Sequence, residues 1–181
     1  MSVTMNRLLA LVYVVTRGQE KMGAVGHTLV QKLFYLLQAG KKVPLGYKFR
    51  LYHYGPYCHE LWGDLNVLEE YGYLSIKTKS NGFGYEITAT DTGRAAVEEN
   101  RDVEADLQDQ VQELLELLGG EPVRKLEALA TTHYVCNDWG EKGVNASKEQ
   151  VIASVLNLKP HLHRSEVEVA LTTLEEKGLN R

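Results

Sequence analysis

Two short alternating runs, Tyr73-Leu-Ser-Ile-Lys-Thr-Lys79 and Tyr85-Glu-Ile-Thr-Ala89, are joined by Ser80-Asn-Gly-Phe-Gly84 and lie between stretches of helical period. Strict alternation suits half-buried strands, and an Asn-Gly pair tolerates the positive φ of a tight hairpin turn. A two-stranded hairpin alone is marginal in water, so these strands need helices to pack against. The chain supplies them on both sides. Met5, Leu8, Leu9, Val12 and Val15 recur at helical spacing between Thr4, a fitting N-cap, and Thr16. A Gly-rich break from Gly18 to Gly26 precedes a second helical run from His27 to Ala39, whose Leu29, Val30, Leu33, Leu36 and Leu37 face inward and whose stop is Gly40. Tyr47 to Tyr54 alternates like a half-buried strand ended by Gly55-Pro56. A third helix follows from Tyr57–His59 to Tyr71, with Leu61, Trp62, Leu65 and Leu68 on its buried face and Gly72 closing it. Thr90 caps a fourth, with Asp91 at the positive end of its dipole. The order helix, helix, strand, helix, hairpin, helix predicts a winged-helix domain over residues 1–101, with the hairpin as its wing.

Residues 102–181 read as an acidic, all-helical region. Val103, Leu107, Val111, Leu114, Leu115 and Leu118 form one stripe, stopped by Gly119-Gly120. Pro122 fits the first turn of the next helix, which carries Val123, Leu126, Leu129 and Ala130 inward. Ser147-x-x-Gln150 and Ser165-x-x-Glu168 have the spacing of capping boxes, and Lys159-Pro160 breaks the chain between the two helices they open. Leu174-Glu-Glu-Lys-Gly-Leu179 echoes Leu68-Glu-Glu-Tyr-Gly-Tyr-Leu74, which predicts a second, truncated helix-turn-helix-like unit. The expected fold class is therefore α+β and mostly helical.

Charge divides along the same line. The net charge of −4 is the sum of +3 over residues 1–101 and −7 over the remainder, so phosphate contacts belong to the first half alone. Apolar runs fall far short of the ~20 residues a membrane span needs, and no signal-peptide cleavage pattern follows the first helix. The expected location is cytoplasmic. Cys58 and Cys136 are too few and too far apart for a disulfide framework or a C-x-x-C metal site. They are expected to be reduced thiols.

Leu33-Phe-Tyr-Leu-Leu37, Leu45-Gly-Tyr-Lys-Phe49, Tyr52-His-Tyr-Gly-Pro-Tyr57, Glu60-Leu61 and Leu68-Glu-Glu-Tyr-Gly72 together resemble the YwgA-like family of uncharacterised prokaryotic proteins. More distantly the chain is similar to the Panacea or SocA-type antitoxin domain, which shares a K-L-x-Y-like helix followed by a Tyr-Gly-Pro turn. The likeness is strongest over residues 26–75. The first resemblance implies a winged-helix-like fold; the second implies a domain that neutralises or delivers a protein partner. Relatives tend to place a Ser cap after Gly-Pro-Tyr where this chain has Cys58, and neither resemblance carries a catalytic residue across.

Two candidate surfaces emerge from the residues themselves. Winged helices usually read DNA with the third helix, using basic and amide side chains. Here that helix carries Glu60, Asp64, Glu69 and Glu70 and no Lys or Arg. An acidic face suits plain solvation, a basic protein patch or an unconventional DNA helix. Tyr52, Tyr54 and Tyr57, with Tyr47, concentrate rigid amphipathic rings beside a Gly-Pro turn, as core packing or as a binding patch. The leading expectation is thus a non-enzymatic regulator that binds a protein partner, as an antitoxin or adaptor does, with a homodimer through the helical half also open. The alternative is a DNA-binding regulator gripping through Lys41, Lys42, Lys48 and Arg50 around the strand and Lys77 and Lys79 on the wing, where i and i+2 share a face. No cofactor or metal is called for: His133-x-x-Cys136 offers one short spacing, where a structural zinc shows two. Cys58 beside His59 could be activated by a helix dipole, but adjacent helix residues do not face each other as a nucleophile and base must.

Overall fold

A computed structural model describes residues 3–100, 105–117 and 122–179. The first helix, α1 (Val3–Met22), leads into a two-residue strand β1 (Val25–Gly26) and then α2 (His27–Tyr35), which continues as a π-turn over Leu36–Gly40. A small hairpin follows, β2 (Arg50–Tyr52) with β3 (Gly55–Tyr57), and then α3 (His59–Glu70). The wing strands are β4 (Leu74–Thr78) and β5 (Tyr85–Ala89), and α4 (Asp91–Glu99) closes the first hundred residues. The remainder is helical: α5 (Ala105–Glu116), α6 (Pro122–Glu141), α7 (Lys148–Leu158) and α8 (Arg164–Glu176).

β5 lies between β4 and β1, antiparallel to both, with Ile76 opposite Ile87 and Val25 opposite Ile87 on its other side. This is the three-stranded sheet of a winged helix, whose short first strand falls between the first two helices, and the fold is α+β and mostly helical. The β2–β3 hairpin is an insertion between α2 and α3, where an ordinary winged helix has only a turn. Arg50 pairs with Tyr57 and Tyr52 with Gly55, so Gly55-Pro56 opens the second strand and does not terminate a single longer one. The expected strand over Tyr47 to Tyr54 is thus corrected to a three-residue strand. Tyr47 itself is buried before it begins, its backbone bound to a side chain and not to a strand.

Other boundaries move for identifiable reasons. α1 runs on past Thr16 because Gly18 is a contact glycine and not a break: a Cβ there would come 2.7 Å from Val25 Cγ2, so its absence lets β1 dock on the helix. Ala10 to Thr16 are all buried, since α1 is packed by α3, α4, α5 and β5 and has no single exposed face. Ser147 caps α7 with Gln150 as expected. The expected Ser165 cap does not form. α8 starts two residues earlier, at Arg164 with His163 as its N-cap, and the His163 backbone N–H is given to Glu166, which Arg124 of α6 grips through both carboxylate oxygens; Glu168 instead meets Arg164. That double grip holds the Glu166 carboxyl down to about 2. Leu107, Val111, Leu114 and Leu115 are buried as the stripe requires, whereas Val123 is exposed. Val103, Leu118, Gly119-Gly120 and the side chains of Thr4 and Met5 lie outside the described residues.

The repeated Leu-Glu-Glu-x-Gly segments end their helices identically. In each, the N–H after the glycine reaches back to the leucine carbonyl (Tyr73 to Leu68, Leu179 to Leu174) and the glycine N–H reaches the first glutamate carbonyl. The glycines, Gly72 and Gly178, take positive φ. These are Schellman caps, which explains the echo as terminal chemistry. One core runs through all the layers, joining Leu11, Phe34, Leu61 and Ile87 to Leu114, Leu126, Val155 and Leu174. Among the described residues no helix is long and apolar enough to cross a membrane.

Gly93 tests the junction of α4 with the wing. A Cβ there would lie 2.2 Å from the Tyr73 carbonyl oxygen, which is backbone held by the Thr90 N–H and hydroxyl. Gly93→Ala should therefore lower stability in urea denaturation by about 2–3 kcal/mol, although Ala is the better helix former. An unchanged or raised midpoint would contradict the close approach.

Candidate functional site

The inserted hairpin is held from beneath by side chains that a helix normally keeps in water. α2 is buried around its whole circumference, including Gln31 and Lys32. The Gln31 amide donates to the Cys58 carbonyl (2.9 Å) while its own carbonyl accepts the Cys58 N–H (2.8 Å). Gln38, two turns on, makes the same pair with Tyr47, both at 2.7 Å. Between these clamps the Lys32 ammonium donates to the Pro56 carbonyl at 2.8 Å. From the C-terminal region, Lys159 donates to the carbonyls of Tyr52 (3.0 Å) and His53. Glu127 of α6 is the buried counter-charge, 3.6 Å from Lys159 Nζ and 3.2 Å from His161 Nε2. Burial pushes Lys32 down to about 8, with Glu127 opposing and Lys159 adding to the shift. Gly55 sits at the centre at φ +91, where a Cβ would meet Thr131 Oγ1 at 2.9 Å and Lys32 Cε at 3.2 Å.

A second polar link ties α2 to the C-terminus. Tyr35 Oη lies 2.7 Å from His133 Nδ1, and His133 Nε2 lies 2.9 Å from the Leu179 carbonyl. Burial pushes His133 down to about 4, so its ring is neutral near pH 7. A neutral imidazole has one donor, and the carbonyl can only accept. Nε2–H therefore donates to Leu179 and Nδ1 accepts from the tyrosine hydroxyl. Both nitrogens are thereby occupied, which takes His133 out of any metal-binding role with Cys136.

On the hairpin's outer side the rings form a continuous ribbon. Tyr52 and Tyr57 lie 5.8 Å apart, Tyr57 and His27 5.8 Å, His27 and Trp62 4.3 Å, and Trp62 and Tyr85 4.9 Å between centroids. The ribbon thus crosses from the hairpin over the first residue of α2 and the face of α3 to the first residue of β5 in the wing. Tyr52 is 62% exposed and Tyr85 40%, while Tyr57, His27 and Trp62 are half-buried. Tyr54 at the hairpin turn is 66% exposed and Phe83 at the wing tip 82%. Beside Tyr52 and Tyr57 opens a cavity of about 320 Å³ lined also by Lys48, Arg50, His59 and Glu60.

The charged candidates divide. Asp64 is turned inward, accepting the Tyr47 hydroxyl (2.8 Å) and pairing with Arg7 Nε of α1 (2.8 Å), and Glu60 pairs with the same guanidinium at 2.9 Å. Glu69 accepts the Ile76 backbone N–H, and Glu70 is exposed. The acidic face expected on α3 is therefore reduced, because Arg7 draws Asp64 inward and pairs with Glu60, which stays exposed. Among the basic candidates, Lys41 pairs with Glu113, Lys42 donates to the Ala39 carbonyl and Lys77 stands across the ladder from Glu86. Lys48, Arg50 and Lys79 are exposed. Cys58 is buried with its backbone clamped by Gln31, at the N-cap of α3.

Sequence reasoning singled out Tyr52, Tyr54 and Tyr57 but missed His27, Trp62 and Tyr85, and it missed the buried trio Lys32, Glu127 and Lys159. Trp62 falls on the apolar face of α3 and reads as core. Only the late return of the wing toward the hairpin makes it the middle of a surface. No protein-family model matches this chain, and comparison with curated proteins finds no match either.

Burial also holds His27 near 4, with Lys32 contributing. Between the ordinary histidine value of 6.5 and about 4, the unfolded chain binds protons at His27 and His133 that the folded chain refuses. Stability should therefore fall as pH drops through that window. Urea midpoints measured across it should slope less steeply in the His27→Phe, His133→Asn double variant than in the wild type; an equal slope would show that these rings do not set the acid response.

Proposed function

We propose that this chain is a non-enzymatic winged-helix regulator that acts in the cytoplasm by holding a protein partner, as an antitoxin or an adaptor does. The aromatic ribbon carries this reading. Exposed and half-buried rings with few torsions give contact area at small entropic cost, and Tyr and Trp dominate binding hot spots. The ribbon also occupies the α3 and wing side of the fold, where a winged helix meets its target. Its flank sets the partner's chemistry. With Glu60 and Asp64 tied to Arg7, the free charges bordering Tyr52 are Lys48 and Arg50, so the partner should offer an apolar strip with an acidic side chain beside it. The resemblance to the Panacea or SocA-type domain points the same way, since its Tyr-Gly-Pro turn is the part of the chain that starts the ribbon.

The DNA-binding alternative draws less from the geometry. α3 offers no Lys or Arg, and Lys77 on the wing stands across the ladder from the acidic Glu86. A photo-crosslinking residue at position Tyr85, activated in cells, separates the two readings. A discrete protein adduct should form on the wild type, fall about tenfold with Trp62→Ala, and be unaffected by the Lys77→Ala, Lys79→Ala pair. Adducts to DNA alone, lost with the lysine pair and with rising salt, would overturn the proposal, as would a protein adduct indifferent to Trp62.

A further inference from the structure

A larger cavity, of about 430 Å³, lies on the other side of the 41–49 segment, between the π-turn that ends α2 and one face of α6. Its size falls in the range of small-molecule sites and is well above what a lone phosphate fills. Tyr35, Phe49 and Tyr134 line it with rings in contact at 5.4 and 6.0 Å. Neither wall is free to collapse. Tyr35 is fixed by its bond to His133, and the 41–49 segment is fixed by the Gln38 clamp on Tyr47.

Two backbone irregularities meet at this wall. The helix widens into the π-turn, and Lys42, alone among the described non-glycine residues, takes a positive φ, at 62°. Both features carry an energetic cost and gather at functional sites. Here their effect is to bring Lys42 to the cavity, with Lys48 beside it. Lys42 uses one of its three N–H donors on the Ala39 carbonyl, which leaves two, and Lys48 is exposed. The opposite wall, on α6, is polar and of the other character. Asn137 donates to Glu141 at 2.7 Å, and Asp138 is already neutralised by Lys142 at 2.7 Å. Glu141 keeps accepting capacity for a ligand N–H.

We propose that this cavity binds a nucleoside monophosphate, its base against the Phe49 and Tyr134 rings, its exocyclic N–H groups toward Glu141 and its phosphate on Lys42 and Lys48. A flat heterocycle matches the rings, a donor edge matches the carboxylate, and a dianion matches two ammonium groups on the opposite rim. The site shares Lys48 with the flank of the ribbon but none of the ribbon's rings, so Trp62→Ala separates it from the partner-binding reading.

Titration calorimetry on the purified full chain with AMP, GMP, CMP and UMP, with adenosine and with inorganic phosphate tests it. At least one of AMP, GMP and CMP, which carry an exocyclic amine, should bind one to one with Kd below about 1 mM, at least about tenfold tighter than UMP, adenosine or phosphate. Lys48→Ala and Glu141→Gln, both surface changes, should each weaken it several-fold, while Trp62→Ala should leave it unchanged. Amide shift changes on binding should centre on residues 38–49 and 134–141. The proposal is overturned if no mononucleotide saturates, if phosphate or adenosine alone binds as tightly, or if the shift changes lie elsewhere.

Discussion

Everything distinctive in this molecule depends on a helix that buries its polar side chains. A winged helix needs α2 only as an apolar strut, yet here Gln31, Lys32 and Gln38 are turned into the structure and spent on the backbone of residues 47–58. Burying an ammonium is costly unless its donors are used and a counter-charge is near. Both conditions are met by elements from the two ends of the chain: carbonyls of the hairpin above, and Glu127 of α6 below. A three-residue hairpin could not hold its shape alone. The buried lysines convert it into a fixed part of the core, and that rigidity is what makes a surface of Tyr52 and Tyr57.

From that constraint follows the course of the ribbon. Because Gln31 fixes Cys58, it fixes the first turn of α3, and with it the position of Trp62 against His27 at the head of α2. The three-stranded sheet brings Tyr85 to the same line from the other side, through the pairing of Gly26 with Glu86. Residues from five elements thus become one surface by backbone geometry. The same clamp logic, through Gln38 and Tyr35, walls the cavity beneath the 41–49 segment. The ribbon and the cavity therefore share a single scaffold, the 41–58 connection between α2 and α3.

Much of the scaffold was legible in the sequence. The wing declared itself through alternation and Asn-Gly, α3 through its apolar spacing and Gly72, and α7 through Ser147 and Gln150. What was hidden has physical reasons. Gly18 reads as a helix break because its use, close approach of Val25, depends on a strand of only two residues that no pattern announces. Ser165 reads as a cap because spacing cannot show that Arg124, some forty residues away, captures Glu166 first. The acids of α3 read as a solvated face because nothing local reveals that Arg7 reaches across from α1. Lys32 and Lys159 give no local signal for the same reason: their partners are carbonyls and a carboxylate brought together only by the tertiary fold. The hairpin tyrosines stand out by their density in the sequence, but the ribbon that Tyr52 and Tyr57 begin includes rings distant in sequence.

The claim that the buried lysines hold the hairpin is tested most directly by native-state hydrogen exchange in the Lys32→Met variant, which keeps the side-chain volume and removes the donor. Amides of residues 50–58 should exchange at least about tenfold faster than in the wild type, a loss of about 1.4 kcal/mol of local stability, while those of β4 and β5 keep their protection. Unchanged protection across residues 50–58, with the variant folded, would contradict it.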